Sequence, residues 1–140
     1  MSGPVTIDAS VFVNALSATE AGSDRSWQYI TDLKEVGIQV IVPTLQLTEV
    51  SASIARKQYN TALALQLMAE IQAIPTNNFI DLDESLAVIA AEIAAYHRLR
   101  GSDAVYAAVA TRFATQLITL DKEQIRRVKK IVKVRRPYKG

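Results

Sequence analysis

Asp103 is an acidic residue at the predicted start of an otherwise apolar helix. It stands in LRGSDAVYAAVA, residues 99–110, where most residues after the aspartate are alanine or valine. An aspartate at a helix start commonly caps the helix by accepting backbone N–H groups. The alternative is a carboxylate that binds a metal or takes part in catalysis, and such a carboxylate needs partners elsewhere in the chain.

Three further acids stand at comparable positions. Asp8 ends VTID and Asp121 follows QLITL, two short apolar segments that we predict to be strands. Glu49 lies in the second turn of the helix predicted after the second strand. In open parallel α/β sheets, functional sites form beyond the carboxyl ends of the strands. We therefore expect these four carboxylates to converge at one edge of a sheet.

Each acid also has a simpler interpretation when it is taken alone. The three aspartates suit helix caps, and Glu49 suits a solvated polar helix face. Together, however, four like charges repel one another, and their desolvation adds to the cost. A hard cation such as Mg²⁺ or Mn²⁺ removes that cost and prefers oxygen ligands. The combination therefore favours a divalent metal site.

Alternating strands and helices must position these acids. We predict strands over 5–8, 38–42, 78–82 and 116–120, with a fifth at IVKV near the C-terminus. We predict helices after Asp8 and Asp121, from Ser102 or Asp103, and over about 25–36, 44–57, 61–74 and 83–99. One or two helices between strands give a mostly parallel sheet of four to five strands with helices on both faces.

The pattern also predicts how some of these elements pack. The helix over 25–36 is expected to bury Trp27, Ile30 and Leu33, and Gly101 is expected to separate two later helices. Small side chains on the helix after Asp103 should allow close packing that holds its carboxylate in place. These are Ala107, Ala110 and Ala114.

Composition places the chain among globular proteins. It has 140 residues, of which 49% are hydrophobic, and the absence of cysteine excludes disulfides and thiolate metal sites. No signal peptide opens the chain and no apolar run approaches the roughly 20 residues of a membrane span, so we expect a cytoplasmic protein. Residues 122–140 carry nine basic side chains against one acid, whereas residues 1–121 carry seven against thirteen. This basic segment suits a polyanion or a solvated C-terminus.

Four segments resemble the acidic motifs of PIN-domain ribonucleases in order and rough spacing. They are IDASVFVNAL, LTEV, LRGSDAVYAAVA and ITLDKEQ, and they extend over nearly the whole chain. The resemblance implies a single PIN-like domain over 1–140 with the four acids as catalytic and metal-binding carboxylates. It also implies supporting roles at the site for Ser10, Thr119 and Asn14.

The chemistry implied by this resemblance is hydrolysis of RNA phosphodiester bonds with Mg²⁺ or Mn²⁺, by one ion or by two. The basic segment then supplies candidate phosphate contacts, which are Arg126, Arg127, Lys129 and Lys130. Arg98 and Arg100 are most simply solvated, with contact to phosphate as the alternative.

Three functions follow from the resemblance. The chain has the size of the VapC-type toxins of toxin–antitoxin pairs, which implies an endoribonuclease held by a small antitoxin. The alternatives are a housekeeping RNA-processing nuclease and a non-catalytic PIN-like binding scaffold. The helix over 61–74 has a broad apolar stripe, which suits either a homodimer or antitoxin contact, or a buried core helix.

Overall fold

The computed structural model describes residues 3–139. Within them, five strands alternate with one or two helices. The elements are β1 Val5–Ile7, α1 Ala9–Ala15, α2 Ser23–Val36, β2 Val40–Pro43, α3 Leu45–Gln58, α4 Thr61–Ala73, β3 Asn77–Ile80, α5 Glu84–His97, α6 Gly101–Phe113, β4 Gln116–Ile118, α7 Lys122–Val128 and β5 Val134–Arg135. None of the helices in this part of the chain is long and apolar enough to cross a membrane.

The five strands form one sheet in the order β3-β2-β1-β4-β5, and every pairing is parallel. Val5 of β1 lies opposite Val40 on one side and Gln116 on the other. The chain therefore adds β2 and β3 on one side of β1, and then adds β4 and β5 on the other side. This reversal places the topological switch point between β1 and β4, where parallel α/β sheets hold their sites.

Helices cover both faces of the sheet, as the sequence predicts. One cluster of buried side chains packs α1, α2, α3 and α4 against the sheet and includes Val11, Leu33 and Ile54. A second cluster joins α5, α6 and α7 and includes Tyr106. The sheet contributes to both, because successive strand residues point to opposite faces: Ile118 belongs to the first cluster and Leu117 to the second.

The prediction that α2 buries Trp27 is wrong. The Trp27 side chain is 54% exposed, and Tyr29 and Leu33 lie in the core instead. The helix also begins two residues earlier than predicted, because Gly22 takes a left-handed conformation just before Ser23. At the other end Gly37 is left-handed and donates its N–H to the carbonyls of Leu33 and Lys34, so the predicted C-terminal cap is confirmed.

Gly101 does not separate α5 from α6, because it is the first residue of α6. The break lies at Arg98, which has a left-handed backbone with φ of 54° directly after the end of α5. Asp103 is consequently the third residue of α6, and its side chain does not cap the helix. The simpler interpretation of Asp103 as a helix cap is therefore excluded.

Several boundaries also differ from the predictions by one to three residues. The second strand begins at Val40, the fourth ends at Ile118, and the fifth is Val134–Arg135 rather than IVKV. Thr44 precedes α3 without a side-chain hydrogen bond, so its predicted capping role is wrong. Ala107 and Ala110 are buried as predicted, but Ala114 is exposed at the left-handed C-terminal cap of α6.

Candidate metal and active site

Asp8 follows β1 directly and is buried at the first turn of α1. Its Oδ1 accepts hydrogen bonds from the backbone N–H of Ser10 at 3.0 Å and from the Ser10 hydroxyl at 2.5 Å. Its Oδ2 accepts from the Thr119 hydroxyl at 2.5 Å. Asp8 therefore caps α1, as the simpler interpretation held, and is also fixed by both hydroxyl residues that the sequence placed near the site.

The same two hydroxyls join the ends of β1 and β4. The Ser10 Oγ accepts the backbone N–H of Leu120 at 3.0 Å, and the Thr119 Oγ1 accepts that of Asp121 at 3.0 Å. The two strands are direct neighbours in the sheet. Asp8 and Asp121 are thus held at the same edge by contacts between side chain and backbone.

Asp121 uses its two carboxylate oxygens differently. Oδ1 caps α7 by accepting the backbone N–H groups of Glu123 and Gln124 at 2.9 and 3.2 Å. Oδ2 accepts from Nη2 of Arg100 at 3.0 Å, and the same guanidinium donates from Nε to Oδ2 of Asp103 at 3.1 Å. Arg100 therefore bridges two of the four predicted carboxylates.

Glu49 projects from α3 beside Tyr106 of α6. Its Oε1 is buried and has no hydrogen-bond partner within residues 3–139, and the same holds for the Tyr106 hydroxyl. Next to them, the fully buried Gln46 donates from Nε2 to the carbonyl of Ile7 at 2.6 Å, and no donor among the described residues contacts its Oε1. The interpretation of Glu49 as a solvated residue is therefore wrong, because one of its oxygens faces the protein interior.

Burial and repulsion between the carboxylates raise the pKa values of three of the acids. Burial raises the pKa of Asp8 to about 6, against the hydrogen bonds from Ser10 and Thr119, and the charge of Asp103 adds to the increase. Burial also raises the pKa of Glu49, again with a contribution from Asp103. The pKa of Asp103 itself is raised by burial and by Asp121, although Arg100 lowers it. The structure thus brings the four acids into one electrostatic cluster.

The donor chemistry of this cluster fits a hard divalent cation. All four candidate ligands are carboxylates, and the buried, unpartnered Oε1 of Glu49 is an acceptor available to a cation. As the side chains stand, no three acidic or histidine residues in the described part of the chain are close enough to share one ion. Arg100 accounts for part of this spacing, because its guanidinium occupies the space between Asp103 and Asp121.

Asn14 does not contact Asp8, in contrast to the position near that carboxylate that the sequence suggests. Its Nδ2 donates to Oε1 of Glu20 at 2.8 Å, and its Oδ1 accepts from the Ser26 hydroxyl at 2.7 Å. The other carboxylate oxygen of Glu20 binds Lys57 at 3.2 Å. Asn14 therefore belongs to a neighbouring polar network at the start of α2.

Two grooves open from the cluster. The α7 groove has a volume of about 420 Å³, and the α3 groove has a volume of about 530 Å³. The first is lined by Arg98, Leu99, Arg100, Asp103, Asp121, Glu123, Gln124 and Arg127. The second is lined by Ala9, Ser10, Val13, Glu20, Thr48, Glu49, Ala52, Ser53, Arg56, Lys57, Leu120 and Asp121. Asp121 lines both grooves.

Of the four basic residues predicted to contact phosphate, one lines a groove beside the acids and three do not. Arg127 lines the α7 groove and donates to the carbonyl of Arg98 at 3.3 Å. Arg126 and Arg127 both pair with Glu123, at 2.7 and 3.2 Å. Lys129 and Lys130 are exposed and line neither groove.

Sequence reasoning missed three contributors to the site. Arg100 appeared solvated, yet it bridges two acids. Tyr106 and Gln46 are fully buried polar residues, and Tyr106 lies between Glu49 and Gln46 as a neighbour of both. The signal for Arg100 was its place three residues before Asp103, which lets its long side chain reach that carboxylate from the residue preceding the helix. No signal distinguished Tyr106 from an ordinary core aromatic residue.

Structures of toxin–antitoxin proteins resemble this fold. VapC20 of Mycobacterium tuberculosis, a toxin that cleaves the sarcin–ricin loop, matches with a TM-score of 0.76 and 18% identity over 94% of this chain and 98% of its own. FitAcB of Neisseria gonorrhoeae matches with a TM-score of 0.71 and 20% identity over 95% and 97%. A chain of the Rickettsia felis VapBC2 complex with promoter DNA matches with a TM-score of 0.70 and 12% identity over 94% and 97%.

By sequence, this chain matches a family model rather than an individual curated protein. None of the curated proteins is significantly similar to this sequence. The PIN domain family model matches residues 5–131, a span that begins at β1, ends just beyond α7 and includes all four acids. This chain therefore belongs to the PIN domain family, whose members are nucleases.

Proposed function

We propose that this protein is a divalent-metal-dependent endoribonuclease and the toxin of a type II toxin–antitoxin pair. The observation that carries the proposal is the convergence of four carboxylates from distant parts of the chain at the switch point between β1 and β4. Such a cluster is costly without a counter-ion, because burial and mutual repulsion both disfavour the charged forms. The family and the toxin-like fold support a phosphodiester as the substrate.

Asp8, Glu49, Asp103 and Asp121 are the residues that would hold Mg²⁺ or Mn²⁺. A bound ion of this kind supplies an activated water and neutralises charge on the phosphate oxygens. The role of this chain's own residues is to hold the carboxylates in place. Ser10 and Thr119 fix both oxygens of Asp8, and the cap of α7 fixes Oδ1 of Asp121 while leaving Oδ2 free to change partner.

The test is cleavage of a fluorescent single-stranded RNA by the purified protein, with Mn²⁺, with Mg²⁺ and with EDTA. A DNA of the same sequence tests the preference for RNA. We expect cleavage with either metal and none with EDTA, and we expect Asp8→Asn to abolish it. The matched control is Asp81→Asn, which removes an exposed acid outside the site. Cleavage that survives both EDTA and Asp8→Asn would overturn the proposal.

The toxin role has a separate test. Matching chains come from toxin–antitoxin complexes of Klebsiella pneumoniae and Rickettsia felis, which supports a small protein antitoxin as partner. Expression of the wild-type chain in a bacterial host should arrest growth, and co-expression of a small protein encoded beside it should relieve the arrest. Catalytic activity without growth arrest would favour the housekeeping RNA-processing nuclease. A chain that binds RNA and cuts nothing would favour the non-catalytic scaffold.

The homodimer stays a prediction that α4 can test. Ala64 and Ile71 are buried against the core, while Leu65 on the opposite side is 52% exposed. An exposed leucine on a broad apolar stripe suits a contact between copies of the chain. Leu65→Glu should convert a dimer into a monomer by light scattering. A wild type that is monomeric, or a variant that stays dimeric, would contradict the prediction.

A further inference from the structure

Arg56 and Arg98 are exposed arginines that have no partner in the structure. Within residues 3–139, neither guanidinium donates a hydrogen bond, and neither forms an ion pair. By contrast, the guanidinium of Arg100 contacts Asp103 and Asp121, and those of Arg126 and Arg127 contact Glu123. Arg56 and Arg98 are therefore available to an anionic ligand without first losing a contact.

These two arginines lie in different grooves. Arg98 lines the α7 groove and Arg56 lines the α3 groove, and Asp121 lines both. Each of the two grooves beside the acidic cluster thus has one arginine without a partner among residues 3–139. A ligand that follows both grooves passes Asp121.

In the α3 groove, Arg56 lies at a distance from Glu49 of the acidic cluster. Glu49, Ser53 and Arg56 follow one another at helical spacing along α3 and all line the groove. At 1.5 Å per residue, Arg56 is displaced from Glu49 by about 10 Å along the helix axis. Its neighbour Lys57 is held by Glu20, which is held in turn by the buried Asn14.

A nucleic acid strand that approaches four carboxylates meets a strongly unfavourable field. Cations on both sides of the cluster offset this repulsion by contacting phosphates that flank the reacting one. An arginine suits this task, because its planar guanidinium binds two phosphate oxygens at once. Arg56 and Arg98 supply this arrangement without neutralising the acids themselves.

We propose that a single RNA strand crosses the acidic cluster, with a phosphate on one side of the scissile bond bound by Arg98 and a phosphate on the other side bound by Arg56. This inference rests on the proposed nuclease function and deepens it. A strand bound on both sides of the reacting phosphate is cut within its length. The two-sided contact therefore accounts for endonucleolytic rather than exonucleolytic cleavage.

Binding of a fluorescent 12-nucleotide single-stranded RNA in EDTA tests the two contacts separately. We expect Arg56→Gln and Arg98→Gln each to weaken binding by about three- to tenfold, and the double variant by the product of the two. Each lost phosphate contact should reduce the slope of log affinity against log salt by about 0.7. The matched control is Arg112→Gln, which removes an exposed arginine outside both grooves. If either variant binds as the control does, the two-sided path is wrong.

Cleavage of a circular single-stranded RNA tests the consequence. A strand that crosses the site needs no free end, so the wild type should cleave the circle with Mn²⁺ at a rate comparable with that of the linear form. Cleavage of the linear RNA alone would overturn the inference while leaving the nuclease function intact. Failure to cleave any RNA with metal, combined with weakened binding by both variants, would instead overturn the proposed function and leave the strand path intact.

Discussion

Arg100 and Asp121 are 21 positions apart in the sequence, yet Nη2 of the arginine donates to Oδ2 of the aspartate at 3.0 Å. The same guanidinium binds Asp103, so one exposed side chain joins the start of α6 to the end of β4. A cation held between two carboxylates occupies the electrostatic position that a divalent metal would take. If Asp103 and Asp121 hold a divalent metal, as we propose, Arg100 competes with that metal for both carboxylates.

We predict that Arg100→Gln strengthens metal binding. The variant removes the competing cation and restores repulsion between Asp103 and Asp121, and both effects favour an added Mn²⁺. The concentration of Mn²⁺ at the midpoint of the thermal shift should fall severalfold. Because the Arg100 side chain is 75% exposed, its loss should cost at most about 1 kcal/mol without metal. An unchanged or higher midpoint, with Arg112→Gln as control, would show that Arg100 does not compete.

Asp103→Asn should retain or exceed wild-type stability in EDTA. Burial and the charge of Asp121 raise the pKa of Asp103 despite the opposing effect of Arg100, so folding destabilises the charged carboxylate relative to the unfolded chain. A metal that binds only the folded state raises stability by mass action. Wild type should therefore gain melting temperature with Mn²⁺, and the variant should gain much less and lose cleavage. Equal Mn²⁺ shifts in the two proteins would remove Asp103 from the metal site.

Asp8 should make the metal-free protein more stable in mild acid. The folded pKa of Asp8 is about 6 against an ordinary value of 3.8, a difference that corresponds to about 3 kcal/mol. The folded protein holds the proton more tightly, so this stabilisation is complete below about pH 4 and is lost as the pH rises through 6.

The corresponding variant is Asp8→Asn, which cannot take a charge. By urea unfolding in EDTA, it should be more stable than wild type at pH 7 by up to about 3 kcal/mol and similar to it near pH 4. Asp81→Asn, in an exposed loop, is the control. A difference between variant and wild type that does not change with pH would show that Asp8 is not the titrating group.

Tyr106→Phe should stabilise the fold slightly or leave it unchanged. The Tyr106 hydroxyl is buried without a hydrogen-bond partner in the described part of the chain, and removing such a group recovers up to about 1 kcal/mol. Urea unfolding in EDTA measures the change. A loss of 1 kcal/mol or more would indicate that the hydroxyl is hydrogen-bonded in solution, with Glu49 as the nearest candidate.

The sequence by itself determined the fold class, and it predicted that four acids would converge. Short apolar segments followed by polar residues predicted the first four strands, because a parallel strand covered on both faces has few exposed positions. The acids followed from the rule that sites form at the carboxyl ends of such strands. Two of them, Asp8 and Asp121, do cap helices, so the simpler interpretation holds for both, and their role in a metal site stays a prediction.

Only the tertiary structure decided which polar residues face these acids. Arg100 meets Asp121, and Tyr106 meets Glu49, because α6 packs against β1, β2 and β4. Such contacts depend on interatomic distances across elements far apart in the chain, whereas local periodicity specifies only which face of an element is apolar. The prediction that Trp27 is buried was wrong for the same reason. Its position along the helix suits the core, but the surface packed against α2 buries Tyr29 and Leu33 and leaves the indole exposed.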